Sequence, residues 1–352
     1  MTAPLPWWVH EVGSRPELVI SSRVRLARNL ADLPFASRNS AAQREQVVDR
    51  VADASRAVPE LQGATWHRME GLSAAARLWL LERQMISREL AGRGPGPGVV
   101  RGAAALADGR VSVLCNEEDH LRIQAIAPGF ALGPAHRAVD RLETELGARI
   151  SFAFDPGFGY LTSCPTNVGT GLRASVLIHL PALVFTREIG KVLHGLAGVG
   201  LTHRGLRGEG SEVVGHLFQL SNQVTLGRSE AELLEHLGRL LETVMRHEMA
   251  AREVLLRDAP ERIADRVWRA WGVLRHARML GYVELLNLLS DVRLGVAMGI
   301  LPSVAWRQQN RLLVEAQDAH LARREDTGLD DEALPVHRAT LVRRLFDEER
   351  GG

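Results

Sequence analysis

The chain has 352 residues, 45% of them hydrophobic, enough to bury a large core and, on length, to form two domains. Its formal net charge of +1 argues against a general polyanion binder, and Lys191 is the only lysine among 43 basic residues. No G-x-x-x-x-G-K-[ST] run occurs, so P-loop enzymes and the common protein kinases, which need a phosphate-binding lysine in a defined context, are excluded.

The two cysteines, Cys115 and Cys164, are too few for a disulfide framework and lack metal-ligand spacing, as expected of a cytosolic thiol protein. Neither a signal-peptide pattern nor a run of eighteen apolar residues is present, so secretion and membrane spanning are not expected.

In chain order, residues 1–18 form a lead-in that packs by Trp7 and Trp8. A brief strand over 18–20 runs into Ser21-Ser22-Arg23-Val24-Arg25. In a strand Arg23 and Arg25 share a face, and with two hydroxyls before them they suit a polyphosphate held by arginine forks; solvated arginines on an edge strand are the plain alternative. Residues 41–57 and 73–90 carry helical patterns, the second with Ser73 as N-cap, and 91–102 is a glycine- and proline-rich surface loop.

A strand over 111–114 delivers Cys115-Asn116-Glu117-Glu118-Asp119-His120-Leu121-Arg122. Three adjacent carboxylates repel one another and stay together only where cations neutralise them or water surrounds them. Their place between two apolar strands, 111–114 and 121–127, favours a site over a solvated turn. His120 reads as a hydrogen-bonded structural histidine.

A helix over 133–147 and a strand over 150–154 lead to the stretch 159–175. Residues 160–163 are β-prone, Pro165 and the glycines make a turn, and 172–180 alternates so that Arg173 and Ser175 share a face. Because the turn presents Cys164, a thiol and a guanidinium are expected at one lip of a sheet. Pro181 starts a helix to 196, and a strand over 200–203 precedes the loop Arg204-Gly205-Leu206-Arg207-Gly208-Glu209-Gly210-Ser211-Glu212. This loop either folds over a ligand or is a plain mobile turn. After a strand over 217–226 the pattern is helical: 230–256, 262–279, 283–298, 304–320 and 336–349, with a solvated loop at 323–332. The loss of strands predicts a catalytic unit over residues 1–257 and an all-helical unit over 258–352 for dimerisation or partner docking.

Taken together and in order, the segments 21–25, 116–122, 164–175 and 204–209 resemble the phosphagen (guanidino) kinase superfamily. The chain resembles the bacterial protein-arginine kinases among them in Thr162-Ser163-Cys164-Pro165-Thr166-Asn167-Val168-Gly169-Thr170-Gly171-Leu172-Arg173-Ala174-Ser175, in Gly208-Glu209-Gly210-Ser211-Glu212 and in Ser221-Asn222-Gln223-Val224-Thr225-Leu226-Gly227. The fold this implies is α+β, an antiparallel sheet flanked by helices, followed by the all-α C-terminal domain.

The activity implied is phosphoryl transfer from ATP to a guanidino group, in a protein-arginine kinase that marks proteins for stress response or degradation. A guanidinium has a pKa above about 12 and is no nucleophile until a proton leaves it, so a carboxylate must grip the fork and accept that proton. By resemblance Glu118 is this carboxylate, Glu209 closes the other side and Glu117 ranks next. Cys164 would lie against the guanidinium as a thiolate that favours the cation. Arg23, Arg25, Arg122, Arg173 and Arg204 correspond to the phosphate-binding arginines. Ser21, Ser22, Val24, Gln84, Ala174, Ser175, Val176, Leu177, Gly205, Leu206, Arg207 and Gly208 complete the implied nucleotide site. Mg2+ would ride on nucleotide oxygens and water, without a protein ligand.

Two positions depart from the family pattern. Gln84 stands where the family has a histidine near the base. Where the protein-arginine kinases carry an R-D-x-x-R-A motif that binds phosphoarginine, this chain has Leu334-Pro335-Val336-His337-Arg338-Ala339, which leaves Arg338, Arg343 and Arg344 as candidate anion ligands. Small-molecule phosphagen kinases have a helical domain ahead of the Ser21 motif, and only residues 1–20 precede it here, so an uncovered site admitting an arginine of a polypeptide is expected. The resemblance also implies a cytoplasmic homodimer with a zinc-binding activator, a heat-shock repressor and a Clp protease as partners, and no membrane or direct nucleic-acid partner. A small-molecule guanidino kinase and a catalytically silent phosphoarginine reader stay open as alternatives; Glu118, Glu209, Cys164 and the five arginines argue against the second.

Overall fold

The computed structural model describes residues 5–93, 102–107, 109–205, 213–302, 304–324 and 332–347. After a one-turn helix α1 (Trp7–His10) come strand β1 (Val19–Arg28), helix α2 (Ala41–Ser55), β2 (Thr65–Arg68), α3 (Ala74–Glu82), β3 (Ala103–Ala107), β4 (Val111–Cys115), β5 (Leu121–Pro128) and α4 (Leu132–Gly147). A small hairpin, β6 (Phe154–Asp155) and β7 (Gly159–Tyr160), precedes β8 (Leu172–His179), α5 (Pro181–Phe185), α6 (Ile189–Gly198), β9 (Leu201–Gly205) and β10 (Leu217–Asn222). The long helix α7 (Glu230–Asp258) opens with a capping box between Ser229 and Glu232. Five further helices, α8 (Pro260–His276), α9 (Tyr282–Ala297), α10 (Trp306–Glu315), α11 (Asp318–Arg324) and α12 (Leu334–Asp347), complete the described residues.

Eight strands form one antiparallel sheet in the order β2-β3-β4-β5-β1-β8-β10-β9, so β1 and β8 lie side by side near its middle. Side chains alternate across a sheet, and the two faces diverge in kind. Val24, Leu26, Ile123, Ala125, Ala174 and Val176 share one core with Val47 and Val51 of α2, Val139 and Leu142 of α4, and Leu237 and Leu241 of α7. The other face is covered in two separate places. Ile20, Ile126, Leu177 and Leu217 pack with the C-terminal helices through Val267, Leu286 and Leu289, while Leu114 packs beside Leu80 of α3 and Ile86. Between these two patches the sheet presents arginines.

The expected antiparallel sheet flanked by helices, followed by a helical C-terminal region, is what the chain forms. Several boundaries differ. The helix expected over 73–90 stops at Glu82, because Gln84 takes a left-handed backbone (φ 59°) and closes a Schellman turn, with Gln84 N–H on Leu81 O (2.9 Å) and Met85 N–H on Leu80 O (3.1 Å). The helix expected over 181–196 is two, α5 and α6, broken where Arg187 adopts φ 62°. The helix expected over 304–320 is likewise split into α10 and α11. The strand expected over 150–154 shrinks to a bridge between Leu30 and Phe152 followed by β6. Arg323 and Arg324 belong to α11, and 325–331 of the expected loop lies outside the described residues. Among the described residues no helix is long and apolar enough to cross a membrane.

Candidate active site

Register places the basic residues. Arg25 of β1 pairs with Arg173 of β8, Arg23 with Ser175, and Ala27 with Arg122 of β5. On the far side Gln219 of β10 pairs with both Leu177 of β8 and Arg204 of β9. Residues paired across an antiparallel ladder share a face, so Arg23, Arg25, Arg122, Arg173 and Arg204 all stand on the face between the two covered patches.

They are close enough to act on one another. Burial, and then Arg122, Arg173 and Arg204, push the Arg23 guanidinium down to about 10. Burial, then Arg23, Arg122 and Arg173, hold Arg25 well below the usual arginine range. Glu117 pulls both the other way. A concentration of guanidinia in a partly desolvated cleft is costly unless an anion joins it.

The acidic turn after β4 sorts its three carboxylates into three environments. Asn116 adopts φ 61°, which asparagine tolerates, and its N–H donates to His120 O (2.9 Å), closing the turn. Glu117 points into the protein with a side chain 1% exposed, 2.7 Å from an Arg122 guanidinium nitrogen. Burial pushes its carboxyl up and Arg122 draws it back down. Glu118 is exposed. Asp119 is buried, and its Oδ1 accepts the backbone N–H of Ser163 at 2.6 Å. That bond joins the acidic turn to the thiol loop, so Glu118 and Cys164 flank a bonded pair.

His120 is fully buried, and burial lowers its pKa. Its Nδ1 accepts the Leu30 N–H at 3.0 Å, which puts the proton of the neutral ring on Nε2; the Asn39 amide, whose Nδ2 is placed 2.8 Å away, must then turn its oxygen to that N–H. The ring is structural, as its sequence context suggests.

The thiol loop is held from its other side by Thr225, whose hydroxyl bonds Thr166 O (2.9 Å) and Val168 O (2.7 Å). Gly169 makes this approach possible at φ 110°; a Cβ there would meet Thr225 O at 2.4 Å. Thr162 Oγ1 donates to Cys164 O (2.8 Å), and Thr166 Oγ1 lies 3.0 Å from Cys164 Sγ. Cys164 is half-buried. Cys115 is sealed in the core, and burial pushes its thiol up to about 12.

The remaining expected nucleotide residues divide. Gln84 is drawn to the arginine face: its carbonyl accepts from Gln124 Nε2 (3.0 Å), and Gln124 pairs with Arg25. Ser175, on the same face, accepts from Gln219 Nε2 at 3.0 Å. Ser21 is buried where it pairs with Leu177 and Pro128, and Gly205 ends β9. The side chains of Ser22, Val24, Ala174 and Val176 alternate to the helix-covered face and do not line the cleft. Ser22 Oγ instead bonds Gly129 O (2.8 Å) and Ala131 N–H (2.9 Å), fixing the entry to α4. Leu177 is taken up beneath the C-terminal helices. Leu206, Arg207, Gly208 and Glu209 lie outside the described residues.

Arg338, expected as a free anion ligand, is instead 2% exposed and spends its donors on Ala316 O (2.8 Å), Leu280 O (2.8 Å) and Asp318. Arg343 bonds Ala277 O and Thr340. The one His/Cys/Asp/Glu grouping of metal-ligand spacing among the described residues, His136, Asp140 and Glu230, joins α4 to the start of α7 on the helix-covered side.

The family model "ATP:guanido phosphotransferase, C-terminal catalytic domain" matches residues 46–251, and "Protein-arginine kinase McsB C-terminal domain" matches 260–351. A protein-arginine kinase of Moorella thermoacetica is 44% identical over 345 residues, covering 96% of this chain and 97% of that protein. One of Bacillus subtilis is 37% identical over 347 residues, covering 98% and 94%. Among solved structures, the substrate-free duplicated taurocyamine kinase of Schistosoma mansoni superposes with a TM-score of 0.59 at 24% identity; the match covers 75% of this chain and 40% of that chain. A lombricine kinase gives 0.58 at 20% identity, covering 71% and 72%. These two likenesses speak to fold alone.

Proposed function

The chain belongs to the ATP:guanido phosphotransferase family and, along nearly its whole length, to the protein-arginine kinases within it, and from that premise we propose that it transfers the γ-phosphoryl group of ATP to arginine side chains of proteins. The observation that carries this reading is the turn 116–120, which meets the arginine cleft through Glu117 and Arg122 and the thiol loop through Asp119 and Ser163.

The roles follow from charge and position. Arg23, Arg25, Arg122, Arg173 and Arg204 bind the polyphosphate, substituting fixed guanidinia for the phosphate-binding lysine of other kinases. Gln84 borders the base. The arginine face would receive Mg2+ together with the nucleotide, and the ion would supply charge neutralisation to the transferring phosphates. Glu118, the accessible carboxylate, binds the substrate guanidinium and accepts its proton as the N–P bond forms and the bond from the γ-phosphorus to the β-γ bridging oxygen of ATP breaks, with ADP leaving. Glu209 is proposed as the second carboxylate on the same guanidinium. Cys164 lies against the substrate cation and forms no bond to phosphorus. Glu117 serves the arginines.

The test is mass spectrometry for acid-labile phosphoarginine on an arginine-containing disordered protein incubated with Mg-ATP, with free arginine as competing acceptor. Phosphoarginine on the protein, lost in Glu118→Ala and Glu209→Ala, is the expected result. Phosphorylation of free arginine alone would replace the reading with a small-molecule guanidino kinase.

A further inference from the structure

Resting on that reading, we propose that Asp119, acting with Asn29, is the positioning residue that sets where the carboxylate of Glu118 stands relative to the thiol of Cys164. Three segments far apart in sequence meet at this pair: the end of β1, the acidic turn and the loop carrying the thiol. Asn29 is fully buried and uses both ends of its amide. Its Oδ1 accepts the His120 N–H at 2.8 Å, and its Nδ2 donates to Asp119 Oδ1 at 2.7 Å and to Leu161 O at 3.1 Å. Asp119 Oδ1 accepts in turn the Ser163 N–H at 2.6 Å. One side chain thus holds the turn just after Glu118, and the other holds the loop just before Cys164.

Each loop also has an anchor of its own. The acidic turn is tied by Asn116 to His120 O and, through Asn116 Nδ2, to Arg44 O (2.9 Å); the thiol loop is tied by Thr225. Those anchors shape each loop separately. The bonds of Asn29 and Asp119 run between loops, across sequence separations of 90 and 44 residues. Turn closure or helix capping would not call for such links, and a carboxylate 5% exposed is costly to bury for packing alone. A reaction that needs one guanidinium nitrogen in line with phosphorus is sensitive to displacements of about 1 Å, which can cost about 100-fold.

The experiment compares Asp119→Ala, Asp119→Asn, Asn29→Ala and the Asn29→Ala/Asp119→Ala double variant in the full chain, with Mg-ATP and an arginine-containing peptide. Asp119→Ala is expected to lower kcat about 100-fold and raise the peptide KM, with the KM for ATP within about twofold of the native value. Asp119→Asn keeps an oxygen that can accept both N–H groups and recovers most of kcat. The double variant falls little further than either single one, because both disrupt the same junction. A thermal shift on adding ATP reports that each variant retains a folded nucleotide site. An unchanged kcat in Asp119→Ala overturns the proposal, as does a kcat loss matched by an equal rise in the KM for ATP. Asp119→Asn as impaired as Asp119→Ala also overturns it, since the charge itself would then act in the chemistry. If the native chain phosphorylates no arginine peptide, it is the functional reading that fails.

Discussion

Glu117 and Glu118, neighbours in sequence, differ in burial: Glu117 is buried 2.7 Å from a guanidinium nitrogen of Arg122, whereas Glu118 is exposed. Adjacent side chains in an irregular turn can diverge in this manner because no strand or helix period binds them. The two carboxylates should therefore fail differently. Glu118→Gln is expected to lower kcat by about 10²- to 10⁴-fold with stability changed by less than about 0.5 kcal/mol. Glu117→Gln leaves Arg122 without its buried counter-charge and is expected to act on the arginine face rather than on the proton transfer, lowering kcat less than Glu118→Gln does. Steady-state kinetics and unfolding curves on the two variants check the division; equal kinetic defects would contradict it.

The arginine cleft trades stability for affinity. Arg23 and Arg25 have their charged forms disfavoured by burial and by neighbouring guanidinia, a cost that a bound polyphosphate would relieve. Pyrophosphate and ATP are expected to raise Tm in a concentration-dependent way. Arg25→Gln should raise the Tm of the ligand-free protein, by the equivalent of about 1 kcal/mol, while largely removing the nucleotide-dependent rise. A ligand-free Tm at or below the native one would show that the packing and hydrogen bonds of Arg25 outweigh its repulsion by the other guanidinia.

Acid should loosen the seam between the sheet and the C-terminal helices. The hydroxyl of Ser290 in α9 sits between His179 Nε2 (2.8 Å) and His216 Nδ1 (2.7 Å). Burial, then Arg266, lowers His216 to about 4; burial, then Arg293, Arg252 and His216, lowers His179 well below its ordinary value. A folded-state pKa below the unfolded one means that the unfolded chain takes up the proton first. Stability is therefore full above about pH 6.5 and lost as pH falls toward about 4, by about 3 kcal/mol for His216 alone. Urea unfolding at pH 7.5, 5.5 and 4.5 measures the slope, and His216→Gln should flatten it.

Much of the site is legible in the sequence because its parts are local. Arg23 and Arg25 alternate within one strand, Arg173 and Ser175 within another, and the acidic run is flanked by apolar strands. The links between these parts are not legible. Asn29 looks like an ordinary polar residue, and Asp119 like one member of an acidic run, until residues 90 positions apart are brought together. β3 has no sequence signature because Ala103, Ala104 and Ala105 carry little strand propensity, and burial between neighbouring strands overrides it. Gln84 ends α3 where the amphipathic pattern runs on, since a left-handed glutamine has no signature comparable to glycine. Val24 and Val176 join the nucleotide site only by contiguity in a motif, whereas a period of two sends their side chains to the opposite face.

The two-part covering of the arginine face has a practical corollary. Ile20, Ile126, Leu177 and Leu217 belong to the kinase sheet yet find their apolar neighbours in α8 and α9. A fragment cut after α7 would expose this greasy patch beside the arginine face, so the chain up to α7 is a poor candidate for a minimal soluble protein. For the same reason, anything that tugs on the C-terminal helices pulls on a wall of the cleft.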